Sequence, residues 1–219
     1  CHGFCLPCEK AGGDYHDFVE QKDGSLFFVI GDVTGHGFAA GLITSMAKTM
    51  TVRLLEEQVE NLDEVAEAVN AVLLTTLQKA RMMSGIFGRL IPSENKLQLK
   101  FCGHPFAYLI SGEGTVTEIG SPGFPLGAMK KRSVPGHKEV PMAEGDTLVL
   151  YTDGIIEATD WEENMYTFER WRKFLPLAPS FPTIPDLMTG VLEETRKHTQ
   201  GRPFQDDVSM LIIRRSKKV

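Results

Sequence analysis

The sequence predicts an α+β fold made of two antiparallel sheets with helices outside them. Three observations predict it. Short β-branched and aromatic runs fall into groups, amphipathic helical stripes come in pairs, and Gly or Pro punctuates the gaps between them. The order reads strands, two helices, a run of strands, two helices and one strand. It lacks the strand–helix alternation that builds a parallel sheet.

Taken in order, the opening segment carries Cys1, Cys5 and Cys8. It reads as a strand whose small thiols pack inward. The C-x3-C-x2-C spacing also matches the cluster loop of radical enzymes that use S-adenosylmethionine. Those enzymes need a repeated strand–helix barrel, which this chain does not offer. Gly12-Gly13-Asp14 then makes a turn that presents Asp14, and Asp23-Gly24 makes a hairpin turn into the run that starts at Leu26. Two paired strands here would bring Asp14 near Asp32.

The stretch 26–40, LFFVIGDVTGHGFAA, organises the rest. Five apolar residues make a buried strand that runs into Gly31-Asp32. Gly31, Gly35 and Gly37 allow positive φ and close approach of a ligand to bare backbone. A carboxylate fixed at such a strand end suits a hard cation.

A helix follows. Phe38, Leu42, Met46, Met50 and Leu54 recur every four residues, with Ala39, Ile43 and Ala47 beside them, as a stripe facing the core. Asn61 to Glu64 opens a second helix, its acids favoured by the dipole, with the stripe Leu62, Val65, Val69, Leu73 and Leu77. Strands are expected at 85–91, 97–101, 106–110, 115–119, 137–140 and 147–151. The last of these again ends in an acid, Asp153, followed by Gly154. A helix over 166–175 leads into Pro176, Pro179, Pro182 and Pro185, a density that favours an extended surface segment. A helix over 185–198 comes next. Gln205-Asp206-Asp207 then precedes a terminal strand over 208–213.

Composition bounds the function. The 219 residues suffice for a sizeable core and one domain, 1–219. A net charge of −6 gives nucleic-acid binding no support. No apolar run approaches the roughly 20 residues of a membrane-spanning helix, and no signal peptide is visible. No membrane contact by this segment is therefore expected, and the expected compartment is cytoplasmic. Four cysteines in a chain of this size do not make a disulfide framework. A start at Cys1 without Met reads as a piece of a longer protein.

Asp14, Asp32, Asp153 and the pair Asp206-Asp207 all lie at strand ends or in tight turns. Carboxylates without paired Cys or His suit Mg²⁺ or Mn²⁺ rather than Zn²⁺. Carboxylates gathered in one place repel, and a divalent ion relieves the repulsion. Two such ions can activate a water for displacement at phosphorus. Each acid alone is an ordinary turn residue or cap; the case rests on the set.

Gly12-Gly13-Asp14, Gly31-Asp32-Val33-Thr34-Gly35-His36-Gly37 with Ala39-Ala40, Gly103-His104-Pro105, Thr152-Asp153-Gly154 with Glu157-Ala158, and Asp206-Asp207 with Ser209 resemble the ordered motifs of one family. It is the metal-dependent, protein phosphatase 2C-like serine/threonine phosphatases, in the bacterial branch typified by stage II sporulation protein E and the regulators of sigma-B. The resemblance covers nearly the whole chain. It implies a sandwich of the two sheets with helices on both outer faces, and two Mn²⁺ or Mg²⁺ ions. It implies that Asp32 bridges both ions, that Asp14 and the Val33 carbonyl complete one, and that Asp153 and Asp206 hold the other. These four acids are the candidate catalytic residues. Asp207, where relatives outside this branch carry Asn, ranks below Asp206. His36 is a secondary candidate with a loop or substrate-facing role, and His104 a turn residue. A water activated by the ions would attack phosphoserine or phosphothreonine directly. The implied substrate is a phosphorylated anti-sigma-factor antagonist, and the implied regulator an upstream sensor or receiver domain; a homodimer stays open.

Two other readings compete. One is a catalytically weak phosphatase fold that serves as a signalling or binding module; the presence of all four acids speaks against it. The other is a dinucleotide site at Gly31 to Gly37. Its glycines do not match G-x-G-x-x-G, and Asp32 would repel phosphate there.

Overall fold

The chain forms ten strands and four α-helices among the described residues. In chain order they are β1 (His2–Leu6), β2 (Tyr15–Glu20), β3 (Leu26–Val33), α1 (Phe38–Glu56), α2 (Leu62–Leu77), β4 (Met83–Ile91), β5 (Lys96–Cys102), β6 (Ala107–Ile110), β7 (Val116–Ile119), β8 (Lys138–Pro141), β9 (Thr147–Tyr151), α3 (Thr167–Phe174), α4 (Ile184–Thr199) and β10 (Val208–Arg214). This computed structural model describes residues 1–8, 11–35, 37–57, 59–77, 81–130 and 136–216. The α+β class and the two antiparallel sheets expected from the sequence are what the chain forms.

The chain divides into two compact units, each with one five-stranded sheet. The Asp32 unit (9–105 and 120–141) carries the order β2-β3-β4-β5-β8. Its core sets Phe27, Val29 and Phe87 of the sheet against Ile43 and Ala47 of α1 and Val65, Val69 and Leu73 of α2. The predicted stripe of α2 is therefore its buried face, except that the Leu77 side chain lies outside the described residues.

The stripe expected for α1 is buried only in part: Ile43, Ala47 and Leu54 are buried, but its large N-terminal members are not. Phe38 is 77% and Leu42 47% exposed, Ala39 is exposed, and Met46 and Met50 are only partly buried. The buried seam runs Ala40, Ile43, Ala47, Thr51, Leu54. Strict four-residue spacing gains about 40° on the helix axis at each step. A run of five such positions therefore winds off any single face, whereas alternating steps of three and four hold it.

The Asp153 unit (1–8, 106–119 and 142–219) carries the order β1-β10-β9-β6-β7. Its core sets Tyr108, Tyr151 and Met210 against Trp171 and Phe174 of α3 and Leu187 and Val191 of α4. Helix α4 opens with a capping box: the Asp186 amide donates to the Thr183 hydroxyl, and the Thr183 amide donates to the Asp186 carboxylate.

Two expectations are corrected in this unit. The proline-rich connector is not extended, because 175–180 forms a 3₁₀ helix with Leu175 and Ala178 buried. Proline's fixed φ suits that helix as well as it suits an extended chain. The Arg214 guanidinium then ties its C-terminal end by donating to the Ala178 and Phe181 carbonyls at 2.8 Å each. The opening strand exists as β1, but Cys1 and Cys5 are exposed rather than packed inward. Extended backbone sets those two about 13 Å apart, so the cysteines do not converge on one cluster.

Gly88 supplies a test of packing. It pairs with Phe28 across β3 and β4, and a Cβ built on it would lie 2.1 Å from the Phe28 ring. Phe28 is fully buried. Gly88→Ala is expected to cost about 1–3 kcal/mol by overpacking, lowering the melting temperature by about 2–12 °C. Recovery in the double variant Gly88→Ala/Phe28→Leu would assign the loss to that contact; an unchanged melting temperature in the single variant contradicts it.

Candidate functional site

In the Asp32 unit the hairpin does what its turn predicted. Pairing of β2 with β3 runs from Glu20↔Leu26 to Tyr15↔Gly31, so one step further Asp14 comes level with Asp32. Asp14 is buried and Asp32 half-buried. The turn before Asp14 lies hard against the loop that leaves β3. A Cβ on Gly13 would sit 2.9 Å from the Val33 carbonyl oxygen and 3.1 Å from that of Gly35, so only glycine fits there. Thr44 of α1 donates its hydroxyl to the Gly13 carbonyl at 2.9 Å. Asp14, Asp32 and the Val33 carbonyl are thus gathered at one end of the hairpin.

The loop itself departs in detail from the sequence reading. Gly35 and Gly37 take positive φ, at 82° and 81°. Gly31 instead lies within β3, opposite Gly85. Thr34 ties the loop down through its amide, which donates to the Met82 carbonyl at 2.9 Å. His36 lies outside the described residues. His104 is buried, with Nδ1 2.7 Å from the Ser84 hydroxyl, and Ser84 is the cross-strand partner of Asp32. That agrees with a structural role for His104.

In the Asp153 unit the acids follow the ends of β9 and precede β10. The Thr152 amide donates to the Ser209 carbonyl at 3.0 Å, and the Ser209 amide donates back to the Thr152 hydroxyl at 2.9 Å. This exchange locks the Asp153 turn to the Asp206-Asp207 loop. Contact is closest at Gly154, where a Cβ would fall 2.0 Å from the Asp207 carbonyl oxygen. Asp206 is exposed and Asp207 buried.

The electrostatics of this cluster suit a cation. Burial, and then the Asp206 charge, push the Asp153 carboxyl above its ordinary pKa. Burial pushes Glu157 up too, with the Asp153 and Asp206 charges adding to the effect. Among the described residues no Lys, Arg or His forms an ion pair with Asp153, Glu157 or Asp206. Mutual repulsion of these carboxylates favours a hard divalent ion nearby, although among the described residues the three whose ligand atoms converge within 4.8 Å are Cys8, Asp206 and Asp207, not Asp153 and Glu157.

Two members of the cluster escape a linear reading. Glu157 was noted only as part of a motif, although it lies four residues past Asp153, with its amide donating to the Asp153 carbonyl at 2.9 Å. Cys8 is 198 positions before Asp206. Pairing of β1 with β10 ends at Leu6↔Val208, and two steps on Cys8 comes level with Asp206. Its amide donates to Asp207 Oδ1 at 2.8 Å, and its thiol and the two carboxylates offer ligand atoms within 4.8 Å of one another. The only sequence signal for Glu157 is its fixed distance from Asp153; for Cys8 there is none.

Known proteins resemble this chain over most of its length. The family model of stage II sporulation protein E (SpoIIE) matches residues 22–216. Phosphoserine phosphatase RsbP of Bacillus subtilis (strain 168) is 21% identical over 207 residues, which are 93% of this chain and 49% of RsbP. The chain thus spans about half the length of that curated relative. Among solved structures, the RsbU and RsbW domains of a Mycobacterium tuberculosis protein match with a TM-score of 0.82 at 25% identity, over 99% of this chain and 60% of that one. The SiaA-PP2C domain of Pseudomonas aeruginosa matches with a TM-score of 0.84 at 22% identity, over 97% of this chain and 85% of that one. No helix among the described residues is long and apolar enough to cross a membrane. With the family model matched over most of its length and the PP2C fold over nearly all of it, the chain belongs to the stage II sporulation protein E family of PP2C-like protein phosphatases.

Proposed function

We propose that this chain hydrolyses phosphoserine or phosphothreonine on a protein substrate, using divalent cations held by its acids. The observation that carries the reading is the carboxylate cluster of half-buried Asp153 with exposed Glu157 and Asp206, whose charges repel and which no described Lys, Arg or His pairs with. In this reading Asp14, Asp32 and the Val33 carbonyl of one unit would supply metal ligands, with Asp32 as the shared one, and Asp153 and Asp206 of the other unit would supply the rest. Asp207 positions the loop, with its Oδ1 accepting from the Cys8 amide. When bound, two Mn²⁺ or Mg²⁺ ions would lower the pKa of a water and neutralise charge on the phosphoryl group. The chain contributes fixed oxygen donors on strand ends, which hold that geometry before substrate arrives.

The proposed substrate is a phosphorylated anti-sigma-factor antagonist in the cytoplasm. The chain would act as one catalytic domain under an upstream sensor or receiver domain. Support comes from the order of its motifs and from the RsbU and RsbP relatives.

The test is hydrolysis of p-nitrophenyl phosphate and of phosphorylated antagonist proteins with Mn²⁺ or Mg²⁺. Activity is expected with either metal and is expected to vanish on EDTA treatment, returning when metal is restored. Undiminished turnover after exhaustive chelation overturns the reading. Metal binding by calorimetry with no turnover on any phosphoester leaves the binding-module alternative instead.

A further inference from the structure

Helix α1 starts five positions after β3 ends, in the loop that leaves Asp32. Its first residue, Phe38, is 77% exposed, and Leu42, one turn on, is 47% exposed. Single exposed apolar side chains are ordinary. Here two large ones stand at i and i+4 on one face, at the end of α1 that packs on the Gly13-Asp14 turn through Ala40 and Thr44. No residue from Phe38 to Ala47 carries a charge.

The apolar character lapses after these two and returns only at Val52, 37% exposed. The exposed face continues with Ser45 and Thr49. The Ser45 hydroxyl donates to the Gly41 carbonyl and the Thr49 hydroxyl to the Ser45 carbonyl, each at 2.8 Å. A helix docked along α1 would need apolar residues at 45 and 49 to continue the 4-3-4 seam. A stable dimer would need about 800 Å² per partner, and even a whole aromatic side chain supplies at most about 250 Å². A small contact confined to the end nearest Asp32 fits a polypeptide whose phosphate is already in the site.

We propose that Phe38 and Leu42 receive an apolar side chain next to the phosphoserine of the protein substrate. They are specificity-determining residues, and the partner they fit is a phosphoserine segment flanked by apolar residues. This rests on the phosphatase reading above.

The experiment compares two synthetic phosphoserine peptides, one with Leu on both sides of the phosphoserine and one with Gln there, and uses p-nitrophenyl phosphate with Mn²⁺ as the measure of the site itself. The wild type is expected to favour the Leu peptide by about tenfold in kcat/KM, the low end for an apolar contact. Phe38→Ala and Leu42→Ala are expected to bring that ratio near one, while Phe38→Leu keeps most of it. Circular dichroism and melting temperature check that the variants stay folded, as expected for side chains this exposed. A wild type without preference, or alanine variants that retain it, overturns the proposal. A concentration-dependent dimer that Phe38→Ala dissolves would give the face to a second copy and overturn it too. Absence of Mn²⁺-dependent p-nitrophenyl phosphate hydrolysis in the wild type refutes the phosphatase reading itself, and this inference falls with it.

Discussion

Asp32→Asn is expected to be inactive at any Mn²⁺ concentration, whereas Asp206→Asn is expected to recover part of its activity as Mn²⁺ is raised. An amide keeps the shape of the carboxylate but is a poor ligand for a hard cation. In the proposed arrangement Asp32 would be a ligand shared by both ions, so its loss would weaken both and misplace the attacking water. A misplacement of about 1 Å can cost on the order of a hundredfold in rate. Asp206 serves one ion, and mass action can refill a weakened site. The two acids also differ in surroundings: Asp32 lies in β3, paired with Ser84, while Asp206 is an exposed loop residue. Both variants should remain folded, because removing a negative charge from a repelling cluster does not weaken the metal-free protein. Rate against Mn²⁺ for each variant, beside a calorimetric titration, reads the difference. Near wild-type turnover in Asp32→Asn would refute the bridging role.

Most of the fold was legible because local signals agreed with the tertiary outcome. The expected strand over 147–151 is β9, residue for residue; most others differ by a residue or two at their ends, while β3 runs three residues further, so Asp32 lies within the strand rather than past it. The α2 stripe Leu62, Val65, Val69 and Leu73 opens with a step of three, and Ala66 fills in beside it, so the stripe and the buried face coincide. In α1 the large residues repeat every four positions, whereas the buried seam Ala40, Ile43, Ala47, Thr51 and Leu54 follows steps of three and four. Period misled there, because a four-residue repeat winds off the face that packs on the sheet and leaves Phe38 outside. That mismatch is what exposes Phe38 and Leu42 beside the Asp32 loop.

The candidate site was legible in part for a related reason. Asp14 and Asp32 are joined by a hairpin, and hairpin register is a local property set by the turn. Asp153 sits at the end of an unmistakable strand. Cys8 and Asp206 meet through pairing of the first and last strands, and no local pattern encodes a contact of that separation. The proline-rich segment shows the converse: φ near −65° is shared by extended and 3₁₀ backbone, so only burial of Leu175 and Ala178 decides between them.

Gly154→Ala is expected to remove at least about a hundredfold of activity without touching a ligand. A Cβ on Gly154 would lie 2.0 Å from the Asp207 carbonyl oxygen, 2.9 Å from its carbonyl carbon and 3.3 Å from the Val208 side chain. The nearest two atoms are backbone and cannot rotate away as a flexible side chain would. Relief therefore moves either the Asp153-Gly154 turn or the loop that carries Asp206 and Asp207. The chain is pinned on both sides of the clash, by the Thr152–Ser209 exchange and by the Cys8 amide on Asp207. The shift cannot be spread along the strands, and it falls on the two acids proposed to hold one ion. Even a 1 Å displacement there carries a rate cost on the order of a hundredfold, and the strain should cost about 1–3 kcal/mol of stability. Raised Mn²⁺ should restore little, because the fault is in the spacing of the ligands rather than their charge, in contrast with Asp206→Asn. Gly154→Ala is assayed for rate against Mn²⁺ and for its melting temperature. Full activity with an unchanged melting temperature would show that the turn can open without moving Asp153 from Asp206, and would remove the close contact from the design of the site.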